Sequence, residues 1–212
     1  MDNSLLNKLQ VLLDGELPGP EAQYAMAHVS RPPFKPTPAS ATEAAVLLLL
    51  FPKEGEWHIA FTQRASKYAD DKHKGQMSFP GGKMEETDKD YIAGALRETE
   101  EEIGVPMTTV HPLGLLSKLY IPVSNFVVQP VVGYVHSLPD FVLEENEVAE
   151  LVSESVVRLC SDELKMSKDL AISKQMTLKR VPYFDVQGKV VWGATAMILN
   201  EFVTLLKHNS SV

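Results

Sequence analysis

Glu98, Glu101 and Glu102 stand three and four residues apart, directly after Arg97, in the run Arg97-Glu98-Thr99-Glu100-Glu101-Glu102-Ile103-Gly104-Val105. If Ile92 to Ile103 is helical, Ile92, Leu96, Thr99 and Ile103 share one face, and the three glutamates project from the opposite side. Carboxylates that close repel by a few tenths of a kcal/mol per exposed pair, and a divalent cation removes the penalty. An all-oxygen set without His or Cys favours Mg²⁺ or Mn²⁺ over zinc. Taken alone, the acid run reads as a solvated helix face. Its flanks argue otherwise. Phe79-Pro80-Gly81-Gly82 makes a tight loop before the helix, and Gly104 is a natural C-cap after it. The residues predict a metal platform.

This stretch resembles the Nudix box: a Gly, a spacer, an acid, a second spacer and then REUxEExGU, with U bulky and apolar. The end of the motif matches residue for residue, except that Thr99 stands where an aliphatic side chain is usual. Counted from Gly82, the loop before Arg97 is one residue longer than the general pattern, so the early acid falls on Asp88, or less directly on Glu85 or Glu86. The resemblance implies an α/β Nudix fold, a mixed β-sheet sandwiched between α-helices. It also implies a metal-dependent hydrolase of a nucleoside diphosphate linked to another moiety.

The resemblance assigns metal binding to Glu98, Glu101 and Glu102. Arg97 is expected to orient those carboxylates rather than touch substrate, and Gly82 to let the loop backbone approach the metal. Water is the nucleophile and wants a base. The candidates are Glu101 within the box, and Glu147 or Glu150 in Asn146-Glu147-Val148-Ala149-Glu150. Glu147 follows a Pro- and acid-rich loop that can hang over the site; a plain helix-start carboxylate is the alternative for it. A non-catalytic Nudix-fold nucleotide sensor would be expected to lack one box glutamate, and all three are present.

Beyond the box the chain is similar to the coenzyme A pyrophosphatase branch. The likeness is carried upstream by Phe61-Thr62-Gln63-Arg64 and by Lys72-His73-Lys74-Gly75-Gln76-Met77-Ser78-Phe79-Pro80-Gly81-Gly82. Downstream it is carried by His111-Pro112-Leu113-Gly114, Val127 to Gly133, the Asn146–Glu150 stretch, Arg180-Val181-Pro182-Tyr183-Phe184 and Val191 to Ala196. It implies coenzyme A or an acyl derivative as substrate, giving 3′,5′-ADP and the phosphopantetheine half, with ADP-ribose or another nucleoside diphosphate derivative as the alternative. Substrate contacts are expected from Arg64, Lys74, Gln76, Gly81 and Gly82. One departure matters: where the branch has an Arg two positions before His73, this chain has Asp71, in a segment about two residues longer. An Arg grips phosphate with a bidentate fork and Asp repels it. Lys67, Lys72 and Lys74 offer charge without that geometry.

These residues need a scaffold, and the composition allows one. A chain of 212 residues, 44% hydrophobic, can bury one sizeable core. A net charge of -8 argues against nonspecific binding to nucleic acid or an anionic membrane. MDNSLLNKLQ is amphipathic, unlike a leader peptide, and the lone Cys160 fits a reducing compartment, so a cytoplasmic protein is expected. Residues 1–40 read as a helix (Ser4 to Leu13) followed by an extended Pro-rich arm from Gly15 to Ser40, which can wrap the domain or reach a second subunit in a homodimer. Residues 41–208 read as the Nudix domain. Its expected strands are Ala44–Phe51, Trp57–Gln63, Val110–Ile121 and Phe126–His136, with a hairpin of Met176–Val186 and Lys189–Trp192 around Gln187-Gly188. Glu147–Val152 is expected to begin a short helix, and Ala194–Lys207 a closing one. Trp192 and Tyr183 are candidates for stacking on adenine, or else for core packing.

Overall fold

The computed structural model describes residues 3–29, 31, 37–65, 75–172 and 176–208. The expected Asp71 and Lys74, with Lys67, Lys72 and His73, lie outside them. Strand β1 (Thr42–Lys53) is the spine. Its apolar run is buried on both faces, as a sheet covered on both sides requires. Leu47, Leu49 and Phe51 face one core with Ala95, Leu96 and Ile103 of helix α3 (Tyr91–Ile103). Leu48 and Leu50 face the other, with Ile198, Leu199 and Phe202 of the C-terminal helix. The mixed sheet between helices expected from sequence is what forms.

Along one edge β1 pairs in parallel with β7 (Phe126–Tyr134). Along its other edge it pairs antiparallel with two strands in turn: β4 (Gly81–Lys83) beside Ala44–Val46, and β2 (Glu56–Arg64) beside Leu50–Lys53. The sheet is therefore split at that edge. The Phe79-Pro80 turn fills the gap, with Leu47 N donating to Pro80 O at 2.8 Å. Strand β3 (Met77–Ser78) pairs with the end of β2, while β5 (His111–Leu115) and β6 (Leu119–Ile121) pair with β7.

Several expectations are corrected. Glu147–Val152 does not start a helix: β8 (Val148–Ser155) pairs antiparallel with β2, from Arg64↔Val148 to His58↔Ser155. Val148 and Val152, four apart, fit either period, and the open edge of β2 supplies the hydrogen bonds that decide it. The stretch Val110–Ile121 is two strands rather than one. The segment Gly15–Ser40 is not wholly extended, because α2 (Gly19–Tyr24) forms with Pro20 in its first turn, where a missing N–H costs nothing. Helix α1 (Ser4–Leu13) places Leu6, Leu9 and Leu13 in the same core as Leu48. After β8 come α4 (Val156–Cys160) and β9 (Lys165–Ala171), neither of which was expected. Strand β9 joins the anticipated hairpin of β10 (Thr177–Val186) and β11 (Lys189–Trp192) as a second, three-stranded sheet. Helix α5 (Gly193–His208) closes the chain.

Candidate active site

Helix α3 starts where Asp90 caps it, its carboxylate accepting from Ala93 N at 2.8 Å, and ends at Gly104, which takes φ 71°. The helix C-terminus leaves orphan carbonyls. Val142 N donates to Ile103 O and Glu144 N to Glu102 O, each at 3.0 Å. The 141–147 loop is thereby laid across the end of α3. A turn closed by Glu147 N to Glu144 O at 2.9 Å then delivers Glu147 beside the box glutamates.

The box side chains differ in environment. Glu102 is buried, 8% exposed, and accepts from Gly81 N at 3.3 Å, so it does not project to solvent as the helical wheel implied. Glu101 is the exposed one, with 58% of its side chain accessible. Glu98 lies between them, against Gly82: a Cβ built on Gly82 would sit 2.5 Å from Glu98 Cδ. Only glycine permits that approach of loop backbone to carboxylate.

Arg97 ties the group together. Its Nε and Nη2 donate to Asp88 Oδ1 and Oδ2 at 3.0 Å each, its Nη1 to Glu98 at 3.0 Å and Glu101 at 2.9 Å, and Nη2 also to Lys83 O at 3.2 Å. Of the three acids considered for the early position, Asp88 is the one Arg97 grips. Asp88 also accepts from Glu85 N at 2.8 Å, which folds the preceding turn.

Burial pushes the Glu102 carboxyl up to about 8, and the nearby Glu98 and Glu147 charges add to the rise while Gly81 N and Arg64 oppose it. Burial likewise raises Glu98, with Glu101 and Glu147 contributing and Arg97 opposing. Hydrogen bonding from Arg97 holds Asp88 below the usual carboxylate range. Glu98 and Glu102 therefore share one desolvated, negatively charged neighbourhood, with the exposed Glu147 acting on both by its charge. Among the described residues no three His, Cys, Asp or Glu side chains already converge on a single point. The donor chemistry nevertheless fits a hard divalent cation: all oxygen, partly buried, mutually repelling, and open on the side that glycine keeps clear.

The other expected contacts fall nearby. Arg64, at the end of β2, acts on Glu102 through its charge, and its backbone N donates to Gln76 O at 2.9 Å. Ala65 N donates to Glu147 O at 2.7 Å. Glu150 is instead drawn to the second sheet by Lys189, with Nζ 2.5 Å from its carboxylate, leaving Glu147 as the better placed of the two outside acids. Sequence reasoning did not anticipate a cluster beside β4 in which Lys118 Nζ donates to Tyr91 OH at 2.6 Å and Tyr91 OH to Glu43 at 2.5 Å. Its members come from three separate elements, so no spacing signals it.

Residues 41–174 match the NUDIX domain family. A Nudix hydrolase NudL of Yersinia pestis (strain Pestoides F), itself described as uncharacterized, is 32% identical over 197 residues, covering 93% of this chain and 90% of its own length. A NudL of Pectobacterium atrosepticum is 38% identical over 130 residues, covering 61% of this chain and 66% of its own length. Among solved structures, the Nudix hydrolase RenU of M. smegmatis aligns with a TM-score of 0.52 at 14% identity, over 81% of this chain and 89% of that one, a likeness of fold alone.

Proposed function

The chain belongs to the Nudix family, and from that premise we propose that it is a divalent-metal-dependent pyrophosphatase of coenzyme A or acyl-coenzyme A, releasing 3′,5′-ADP and (acyl-)4′-phosphopantetheine. Hydrolysis of a phosphoric anhydride is the family's chemistry. The observation that carries the finer reading is the Glu98–Glu102–Glu147 neighbourhood under Gly81-Gly82, joined to the coenzyme A-branch motifs that run through the rest of the domain.

Glu98 and Glu102, one helical turn apart, would hold Mg²⁺ or Mn²⁺, with Glu101 sharing the metal or its bound water. A bound ion of that kind neutralises pyrophosphate charge and polarises phosphorus. Arg97 fixes the Glu98 and Glu101 carboxylates and does not meet substrate. Glu147 takes the proton of the attacking water as its oxygen bonds to phosphorus and the bridging P–O bond breaks. Arg64, Lys74, Gln76 and the amides of Gly81 and Gly82 are assigned to the phosphates. We assign catalysis to residues 41–208, with residues 1–40 as an extension. The partner is a small nucleotide substrate in the cytoplasm. Among the described residues no helix is long and apolar enough to cross a membrane.

The test is turnover with Mg²⁺ or Mn²⁺ on coenzyme A, acetyl-coenzyme A, ADP-ribose and diadenosine polyphosphates, with Glu102→Gln as the control. Release of 3′,5′-ADP from the coenzyme A compounds, lost in the variant, is expected. Cleavage of ADP-ribose alone would keep the box chemistry and discard the coenzyme A assignment.

A further inference from the structure

Away from the box, the segment after α2 and the first turn of α5 enclose a cavity of about 380 Å³, within the range of small-ligand sites, lined by Arg31, Pro122, Val123, Val181, Trp192 and Met197 among others. Its walls are mostly apolar, the polar side chains being Arg31 and His28, whose Nε2 lies 2.9 Å from Lys179 O. The Arg31 guanidinium donates through Nη2 to Tyr120 O at 2.7 Å and lies 5.6 Å from the centre of the Tyr24 ring. Its Nε is buried with no hydrogen-bond partner, and among the described residues no carboxylate pairs with it. A buried donor left unmade on a permanent cation is unfavourable until an anion arrives.

One wall of the cavity is shared with the segment that leads into the candidate active site. Trp192 also lines a second cavity of about 350 Å³ with Gln63, Gln76 and Lys189. Thr195, in the first turn of α5, donates to Met77 O at 3.0 Å, four residues before Gly81. On the other side, Tyr120 is in register with Val127, Val127 with Glu43, and the neighbouring Ala44 with Lys83. Tyr120, to whose carbonyl Arg31 donates, therefore lies about three strand spacings, about 14 Å, from Lys83 of the box loop.

We propose that this cavity takes the adenosine end of the substrate, with Trp192 against the base and Arg31 reading a phosphomonoester on the ribose. The inference rests on the coenzyme A reading above and deepens it. The forked cation missing at Asp71 is supplied from the N-terminal segment. An indole face gains from any stacked base. The arginine fork distinguishes a phosphorylated ribose from a bare one.

The full-length protein with Mg²⁺ should be assayed on coenzyme A and dephospho-coenzyme A, and on NADPH and NADH, as wild type, Arg31→Met, Arg31→Lys and Trp192→Leu. Arg31→Met should raise the KM for coenzyme A about 10–100-fold, the worth of a charged hydrogen bond, and leave dephospho-coenzyme A unchanged. Arg31→Lys should recover part of the loss, and Trp192→Leu should weaken both alike. A matching selectivity for NADPH would show that the ribose phosphate, rather than the pantetheine arm, is what is read. Equal losses on both coenzyme A forms, or none, would overturn the proposal. Calorimetric binding of 3′,5′-ADP against 5′-AMP covers the case without turnover: tighter 3′,5′-ADP binding that Arg31→Met abolishes upholds the site even if the coenzyme A reading fails. No preference between the two, or one that survives the variant, rejects the site.

Discussion

Arg97 and Asp88 are joined by a two-pronged ion pair, Nε to Oδ1 and Nη2 to Oδ2, both at 3.0 Å, with the Asp88 side chain only 4% exposed. The fork fixes the plane of the guanidinium, so its remaining nitrogen is aimed at Glu98 and Glu101. A lysine can neutralise these acids but cannot hold two of them in set directions while keeping Asp88 bidentate. Arg97→Lys should therefore lower kcat/KM and metal affinity together by about 10–100-fold. Asp88→Ala should do nearly the same, and the double variant little more, because both changes release one arrangement. Additive losses in Mn²⁺ titration and steady-state kinetics would show that the two side chains act separately.

The raised Glu102 carboxyl gives metal binding a pH signature. In the metal-free fold it keeps its proton up to about 8, whereas in the unfolded chain it loses it near the ordinary value of 4.5. Between these values the fold binds more protons than the unfolded chain, so the contribution of this group to stability falls as pH rises through that window. Metal requires the anion, so its binding should release about one proton at pH 6.5 and little at pH 9. Calorimetry of Mn²⁺ binding in buffers of different ionisation enthalpy measures that release directly. The same release at both pH values would mean that Glu102 is not the ligand losing a proton.

Glu147 can be separated from the metal ligands by what its loss leaves intact. Glu147→Gln removes a base while keeping the loop that Val142 and Glu144 fasten to α3. A fall in kcat of about 10²–10⁴-fold with metal affinity within a few-fold of wild type is expected. Glu101→Gln is the companion variant. If it alone abolishes turnover, and Glu147→Gln does not, the base is in the box.

The two box glycines should fail in different ways. Gly82 has an ordinary backbone, but an added Cβ would press on the Glu98 carboxylate. Gly82→Ala should keep the melting temperature within a few degrees and lower metal affinity about 10–100-fold. Gly81 takes φ 147°, and its Cβ would lie 2.6 Å from Val46 Cα. Gly81→Ala should instead destabilise the fold by about 1–3 kcal/mol, since backbone cannot move aside as a carboxylate can. Thermal melts paired with Mn²⁺ titrations distinguish the two. Equal melting losses would contradict the assignment.

What was legible in the sequence follows from what is local. The α3 platform, its Gly104 cap, the spine strand and the β10–β11 turn at Gln187-Gly188 are set by spacing and turn chemistry within one segment. Strand β8 was misread because two valines four apart suit a helix, and only the distant edge of β2 decides between the two states. The burial of Glu102 was missed for a related reason: the wheel places it on the polar face, but Gly81 arrives from β4 to cover it. Arg31 gave no signal at all, since its importance comes from Tyr120 and Trp192, far away in sequence.

The Pro-rich segment read as an arm holds a buried anchor that can be tested in the same spirit. Glu201 on α5 is fully buried and accepts from Gly19 N at 3.2 Å, Ser117 N at 3.1 Å and Gln23 Nε2 at 2.7 Å. It thus stitches the start of α2 and the 116–118 turn to the C-terminal helix. A glutamine in its place keeps the shape but presents a donor to donors, and an alanine orphans the Gly19 and Ser117 amides and leaves Gln23 Nε2 with Ser117 O alone. Glu201→Gln should cost about 1–3 kcal/mol and Glu201→Ala about 3–5 kcal/mol in urea unfolding. Neither should change kcat of the folded fraction, because Glu201 contacts none of the box residues. A cost below about 1 kcal/mol for the alanine variant would mean that water reaches these amides and that α2 is not held as the structure has it.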